Sequence, residues 1–284
     1  MRPLKIACVR YLNTVPLIEG LDKLAACELI PTVPSRIAGL VESGEADIGL
    51  ASVIDAAQKD LALLPMGMIG CDGPTLTVRL FSEVPLDQID TVHADTDSHT
   101  SVILCRLLLA RLHGQRPRIV DFDARERMAI GEPDRAKSLE EAWPRSVLLI
   151  GDKVVTDSPP AVRYPYQLDL GEAWKELTGL PFVYAMWMCR AERAGDDAIR
   201  SGAALLDRQL RHNLTRLDWI IEQAAPEHRW PEDLARKYLG RLLRFTVGDR
   251  EREAVSRFFS LAGEEGLIES VRPRWAEPAA ALAR

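Results

Sequence analysis

"LKIACVRYLNTVPLIEG", residues 4–20, opens the chain with an apolar run, a polar turn and a helical pattern. "LKIACV" (4–9) reads as a strand, Tyr11 to Thr14 follow, and "TVPLIEGL" (14–21) opens as a helix. The pattern then repeats. "CELIPTV" (27–33) is a strand and "PSRIAGLVESGE" (34–45) a helix with Ile37, Leu40 and Val41 on one face. Pro34 and Ser35 mark its start, and "ADIGLAS" (46–52) is the next strand. The order βαβαβ predicts a parallel sheet with right-handed crossovers.

Further along, "LALLPMGMIGCDGPTLTVRLFSE" (61–83) reads as two extended segments broken at "GCDGP". Strand–helix alternation restarts with "DTVHADT" (90–96) and the helix "TSVILCRLLLARLHG" (100–114). "RIVDFD" (118–123) and "SVLLIGD" (146–152) are strands separated by a charged stretch expected to be helical. "YQLDLGEAWKELTGL" (166–180) leads to the apolar strand "FVYAMWMC" (182–189). From 196 to 267 the pattern is only helical, with Asp196, Pro231–Glu232 and Asp249 at helix starts, and the tail "AEPAAALAR" is expected to fray. Two α/β units without a flexible linker predict two lobes, each a mostly parallel sheet flanked by helices. The expected crossings lie near 82–86 and 178–182. Lobe one is then 1–83 plus 182–284, and lobe two 86–178. A ligand cleft between them would be lined by strand carboxyl ends and helix amino ends.

Composition narrows the function. The chain has 284 residues, 47% apolar and 27% charged, with a formal net charge of −6. That sign argues against nucleic acid or an anionic membrane surface as partner, but leaves room for an anionic small molecule in a local pocket. The five cysteines are scattered without a C-x-x-C pair and read as buried, reduced thiols. The histidines show no metal spacing, and there is no Walker A loop, G-x-G-x-x-G, nucleophile elbow or H-E-x-x-H. No metal or cofactor is expected. Trp143, Trp174, Trp187, Trp219 and Trp230 sit in helical or strand patterns as core residues. "MRPLKIACV" is too short in its apolar run for a signal peptide, and no run reaches the ~20 apolar residues of a bilayer span. A cytoplasmic, soluble protein is expected, with its oligomeric state left open.

Several polar groups fall where strands hand over to helices. Asn13-Thr14 suits an N-cap; the same free N–H groups and positive dipole end also suit an anion. "DTDSHTS" (95–101) places Ser98, Thr100 and Ser101 at a second helix start, as a cap with solvated hydroxyls or as a carboxylate site. Thr75 and Thr77 alternate on one strand face, as surface threonines or as ligand hydroxyls. Asp152 ends "LIGD" and serves either as a helix cap or in the site. Arg10, beside the expected cleft, is a surface guanidinium or a carboxylate clamp. With Tyr11 and Ser52 at strand ends, the candidate set is Asn13 as catalytic group. Arg10, Tyr11, Thr14, Ser52, Thr75, Thr77, Ser98, Thr100, Ser101 and Asp152 are the substrate-binding candidates.

"YLNTVPL", "SGEADIGLASVID", "GPTLTVRLFSEVPL", "DTDSHTSVILCRLLL", "LLIGD", "LDLGEAWKELTGLPFVYAMW" and "FFSLAGEEGLI" resemble, in order, the blocks of the chorismate dehydratase family of the futalosine route to menaquinone. The chain departs at Arg10, where many members carry a small residue, and at Thr77, where many carry Ser and the hydroxyl is kept. The resemblance implies a periplasmic-binding-protein type II fold used as an enzyme. It implies a cofactor-independent hydro-lyase that takes chorismate to 3-[(1-carboxyvinyl)oxy]benzoate and water. An amide is too weak to be a base, so Asn13 would orient the substrate, and the substrate's own enolpyruvyl carboxylate would take the proton. Two alternatives share the fold: a non-catalytic carboxylate-binding protein, and the sister enzyme 1,4-dihydroxy-6-naphthoate synthase. The latter family uses a histidine in an "I-H-E"-like turn; here the turn is "IGD", with Gly151 in that place.

Overall fold

The structure is a computed structural model and describes residues 2–95, 97–123 and 143–276. The charged stretch expected to be helical falls largely, and the tail expected to fray almost wholly, outside the described residues, as does Thr96. Eleven strands among the described residues form two sheets. They are β1 Leu4–Cys8, β2 Cys27–Pro31, β3 Ile48–Ser52, β4 Leu61–Cys71, β5 Val78–Ser82, β6 Thr91–Asp95, β7 Arg118–Phe122, β8 Ser146–Ile150, β9 Tyr166–Asp169, β10 Phe182–Arg190 and β11 Leu243–Arg244. The first sheet runs β11-β4-β10-β3-β1-β2 and the second β7-β6-β8-β5-β9.

The opening βαβαβ unit forms as its pattern dictates. β1 pairs in parallel with β2 and β3. The helix Pro34–Ser43 buries Ile37, Ala38 and Val41 against the sheet and ends at Gly44 with φ 79°. Its approach depends on Gly49 of β3: a Cβ there would lie 2.6 Å from Ile37 and 2.7 Å from Val41.

Three expectations are corrected. Strand β5 pairs with β8 and β9, so the chain passes between sheets within residues 72–77 and not near 82–86. The run 61–83 therefore splits between lobes at "DGPTLT". The return lies between β9 and β10, across the helix Leu170–Thr178. The sheets are also mixed, not mostly parallel: β10 runs antiparallel to β3 and β4, and β5 to β8 and β9. The reason is the same in both lobes. Strands of the βα units run towards the cleft, and a strand entering from the other lobe must run away from it. Third, the helix expected to start at Pro231–Glu232, in a region read as only helical, stops at Lys237. A π-turn over Tyr238–Leu242 follows, and β11 then pairs with Gly70 and Cys71.

A continuous apolar cluster ties the lobes together. It runs from Val53 and Ile54 through Leu104 and Leu108 of the helix His99–His113 to Phe258 and Phe259 of the helix Asp249–Glu264. A second cluster in lobe one packs Leu12, Leu17, Trp187, Leu210 and Tyr238. All five cysteines are buried and unbridged. Burial pushes the thiols of Cys8, Cys71 and Cys189 up to about 11 and that of Cys105 to about 12, so all four stay protonated at neutral pH. Among the described residues no helix is long and apolar enough to cross a membrane.

Candidate functional site

A partly open cavity of about 70 Å³ is lined by residues of both lobes. Lobe one contributes Val9, Tyr11, Asn13, Ser52, Tyr184 and Tyr238; lobe two contributes Val78, Ser98, Ser101, Ile150 and Gly151. Thr75 and Thr77 enter from the crossing itself.

Asn13 sits in a single 3-10 turn, Leu12–Thr14, that has no side-chain cap of its own. Its amide oxygen accepts the Thr14 hydroxyl at 3.2 Å. Thr14 is wholly buried and is absent from the cavity lining. Thr14 holds the N-cap position of the helix Val15–Ile18 but makes no side-chain cap bond to it; Asn13 faces the cleft, and Thr14 orients its neighbour's amide.

The crossing is held by one carboxylate. Asp169 accepts the N–H groups of Thr75 at 2.9 Å and Leu76 at 2.7 Å, and caps its own helix through Gly171 and Glu172. Leu76 has φ 74°, the left-handed region, which a leucine adopts only when its surroundings hold it there. Gly171 is needed for the same packing, because a Cβ would lie 2.1 Å from the Thr75 hydroxyl. So held, Thr75 shares a hydrogen bond of 2.7 Å with the Tyr184 hydroxyl, and Thr77 one of 2.6 Å with that of Tyr238. Burial pushes both phenols up, so they are neutral donors at neutral pH.

Ser98 does cap its helix. Its Oγ accepts the Ser101 N–H at 3.2 Å and lies 2.9 Å from the Ser101 hydroxyl. Both serines line the cavity; Thr100 does not, and its Oγ1 accepts the Ile54 N–H of lobe one at 3.2 Å. Behind this turn, Lys153 is buried between Asp95 at 2.5 Å and Asp97 at 2.9 Å, and the Tyr11 hydroxyl donates to Asp97 at 2.9 Å. Burial raises the Asp95 carboxyl, and Lys153 opposes the rise.

Two further candidates are also corrected. Arg10 is exposed and opens onto a separate depression with Glu19, Asp22, Trp219 and Glu227, so it is no clamp in this cavity. Asp152 is absent from the lining and is taken up by three donors described below. Conversely, Tyr184 and Tyr238 escaped the sequence reading. The alternation of "FVYAMW" could have flagged Tyr184 as sharing a face with Phe182 and Met186, but no local signal marks Tyr238. Any anion here would meet hydroxyls, an amide and helix N–H groups in place of a guanidinium.

Gly151 stands at φ 66°, and a Cβ would lie 3.3 Å from the Tyr11 ring. Gly151→Ala should cost about 1–2 kcal/mol of stability from the left-handed conformation alone and displace Tyr11. Denaturant unfolding checks the first effect and a change in the Tyr11 ring resonances the second.

A family model described as menaquinone biosynthesis matches residues 4–264. A chorismate dehydratase of Thermus thermophilus is 31% identical over 241 residues, covering 79% of this chain and 83% of that one. Among solved structures, protein AF1704 of Archaeoglobus fulgidus superposes with a TM-score of 0.72 at 13% identity, over 94% of this chain and 99% of that one. The Candida albicans CA3427 product, described as having the generic periplasmic binding protein fold, superposes at 0.59 and 11% identity, over 100% of both chains.

Proposed function

The chain belongs to the menaquinone-biosynthesis family, and on that premise we propose that it is a cofactor-independent chorismate dehydratase. The carrying observation is the convergence of Asn13 from lobe one, Ser98 and Ser101 from a helix start in lobe two, and Thr77 from the crossing on one cavity. Chorismate carries two carboxylates. Loss of its ring hydroxyl with the neighbouring proton makes the ring aromatic, which supplies the driving force.

In this reading the N-terminus of the helix His99–His113, with Ser98 and Ser101, holds one carboxylate. Charge that develops on the ring carboxylate as the proton leaves is met by fixed neutral donors in a water-poor site. The Asn13 amide oxygen accepts the Thr14 hydroxyl and its side chain also hydrogen-bonds the Tyr238 phenol, so of its two N–H donors one is left to the substrate. It orients the reacting edge, and the enolpyruvyl carboxylate of the substrate accepts the proton. The unreactive surroundings suit this: the cavity walls offer buried phenols held neutral and no histidine.

The test is direct. Purified protein without added metal or nucleotide, incubated with chorismate, should abolish the diene absorbance and yield 3-[(1-carboxyvinyl)oxy]benzoate. Intact chorismate bound tightly and recovered unchanged would instead mark a carboxylate receptor.

A further inference from the structure

We propose that Asp152 is a positioning residue: from lobe two it caps the turn of lobe one that carries Asn13, so that Asn13 is in place only when the lobes are together. The turn Leu12–Thr14 needs such a partner, since its preceding residue, Tyr11, gives it no side-chain cap. The Leu12 N–H donates instead to Asp152 Oδ2 at 3.3 Å, 140 residues away. The same carboxylate takes two more lobe-one donors, His228 Nδ1 at 3.0 Å and Trp230 Nε1 at 3.1 Å. Asp152 opens the short helix Lys153–Thr156 but makes no side-chain bond to it. All three of its side-chain bonds are thus spent across the cleft.

Tyr11 repeats the arrangement one residue earlier, through its bond to Asp97 of lobe two. The two residues before Asn13 are therefore both tied to the opposite lobe, while Asn13 itself is tied to its neighbour Thr14. The cavity is walled by both lobes, and two-lobed binders of this kind open and close around their ligands by hinge motion. Parting breaks the Asp152 bonds and leaves the Leu12 N–H without its partner. Closing remakes them and sets the turn. Closure and placement of Asn13 become one event.

The kinetic arm of the test rests on the chorismate reading; the exchange arm does not. Asp152→Asn keeps the side-chain shape but turns an NH₂ towards donors. Amide exchange at Leu12, followed by NMR, should quicken at least ~10-fold against neighbouring core amides. With chorismate, kcat should fall ~10²-fold, the cost of a small misplacement of a reacting group, while KM stays within ~2-fold. If Asp152→Asn does not fold, Trp230→Phe with His228→Ala removes the two side-chain donors and should quicken the same amide. Unchanged Leu12 exchange, or kcat unchanged in a folded variant, overturns the proposal. A wild-type protein inert towards chorismate overturns the activity reading, and Leu12 exchange then decides the cap by itself.

Discussion

Asn13→Asp should fold like the parent and lose turnover by about 10²–10³-fold, the effect of removing one well-placed donor to developing charge. Aspartate keeps the acceptor that Asn13 offers the Thr14 hydroxyl at 3.2 Å. It also suits a helix start as well as asparagine does. The cap of the turn, Asp152 on the Leu12 N–H, does not involve the Asn13 side chain. The one structural bond at stake is that to the buried Tyr238 phenol, a loss of about 1 kcal/mol. The site has more to lose: the carboxylate would bring a third negative charge to a dianionic substrate and withdraw the NH₂ group. The unfolding midpoint and chorismate turnover are measured on one preparation. A variant with near-normal turnover would assign Asn13 to the turn and away from the chemistry.

Asp169→Ala should destabilise the protein by about 3–5 kcal/mol, as when one partner of a buried, charge-assisted network is removed. That is a large part of the ~5–15 kcal/mol that holds a domain folded. The side chain is almost fully buried and accepts four backbone N–H groups, two from the crossing and two from its helix. Arg79 approaches it at 3.3 Å. Alanine leaves the Thr75 and Leu76 N–H groups without that acceptor and releases Leu76 from its left-handed conformation. Thr75 and Thr77 should then lose their places beside Tyr184 and Tyr238. Guanidinium unfolding reads the first effect, and the ring resonances of the two tyrosines read the second. A loss below about 1 kcal/mol would show that the crossing keeps its shape without the carboxylate.

The comparison of sequence with structure turns on particular residues. The βαβαβ start, the long helix after "DTDSHT" and the two-lobed plan were legible because each depends on local periodicity and on signals at element ends. The first crossing was misplaced because "TVRLFS" reads as a strand, and a strand pattern does not say which sheet it joins. The helix expected to start at Pro231–Glu232 failed at Tyr238, whose ring stacks on Trp230 at 4.9 Å and whose hydroxyl bonds Thr77. That tertiary pull outweighs the helical pattern of "PEDLARKYLGRLLRFT".

By itself, the sequence determined most of the elements, the family and the polar turns that end β1 and β6, because periodicity, capping and motif order are properties of neighbouring residues. Only the tertiary structure decided which polar groups face the cavity. Asn13, Ser98 and Ser101 do, while Thr14, Thr100 and Asp152 spend their side chains on other partners and Arg10 turns to the outside. The physical reason is that a polar side chain goes where its hydrogen-bond partner is. For Asp152 and Thr77 those partners lie 140 and 161 residues away in the chain.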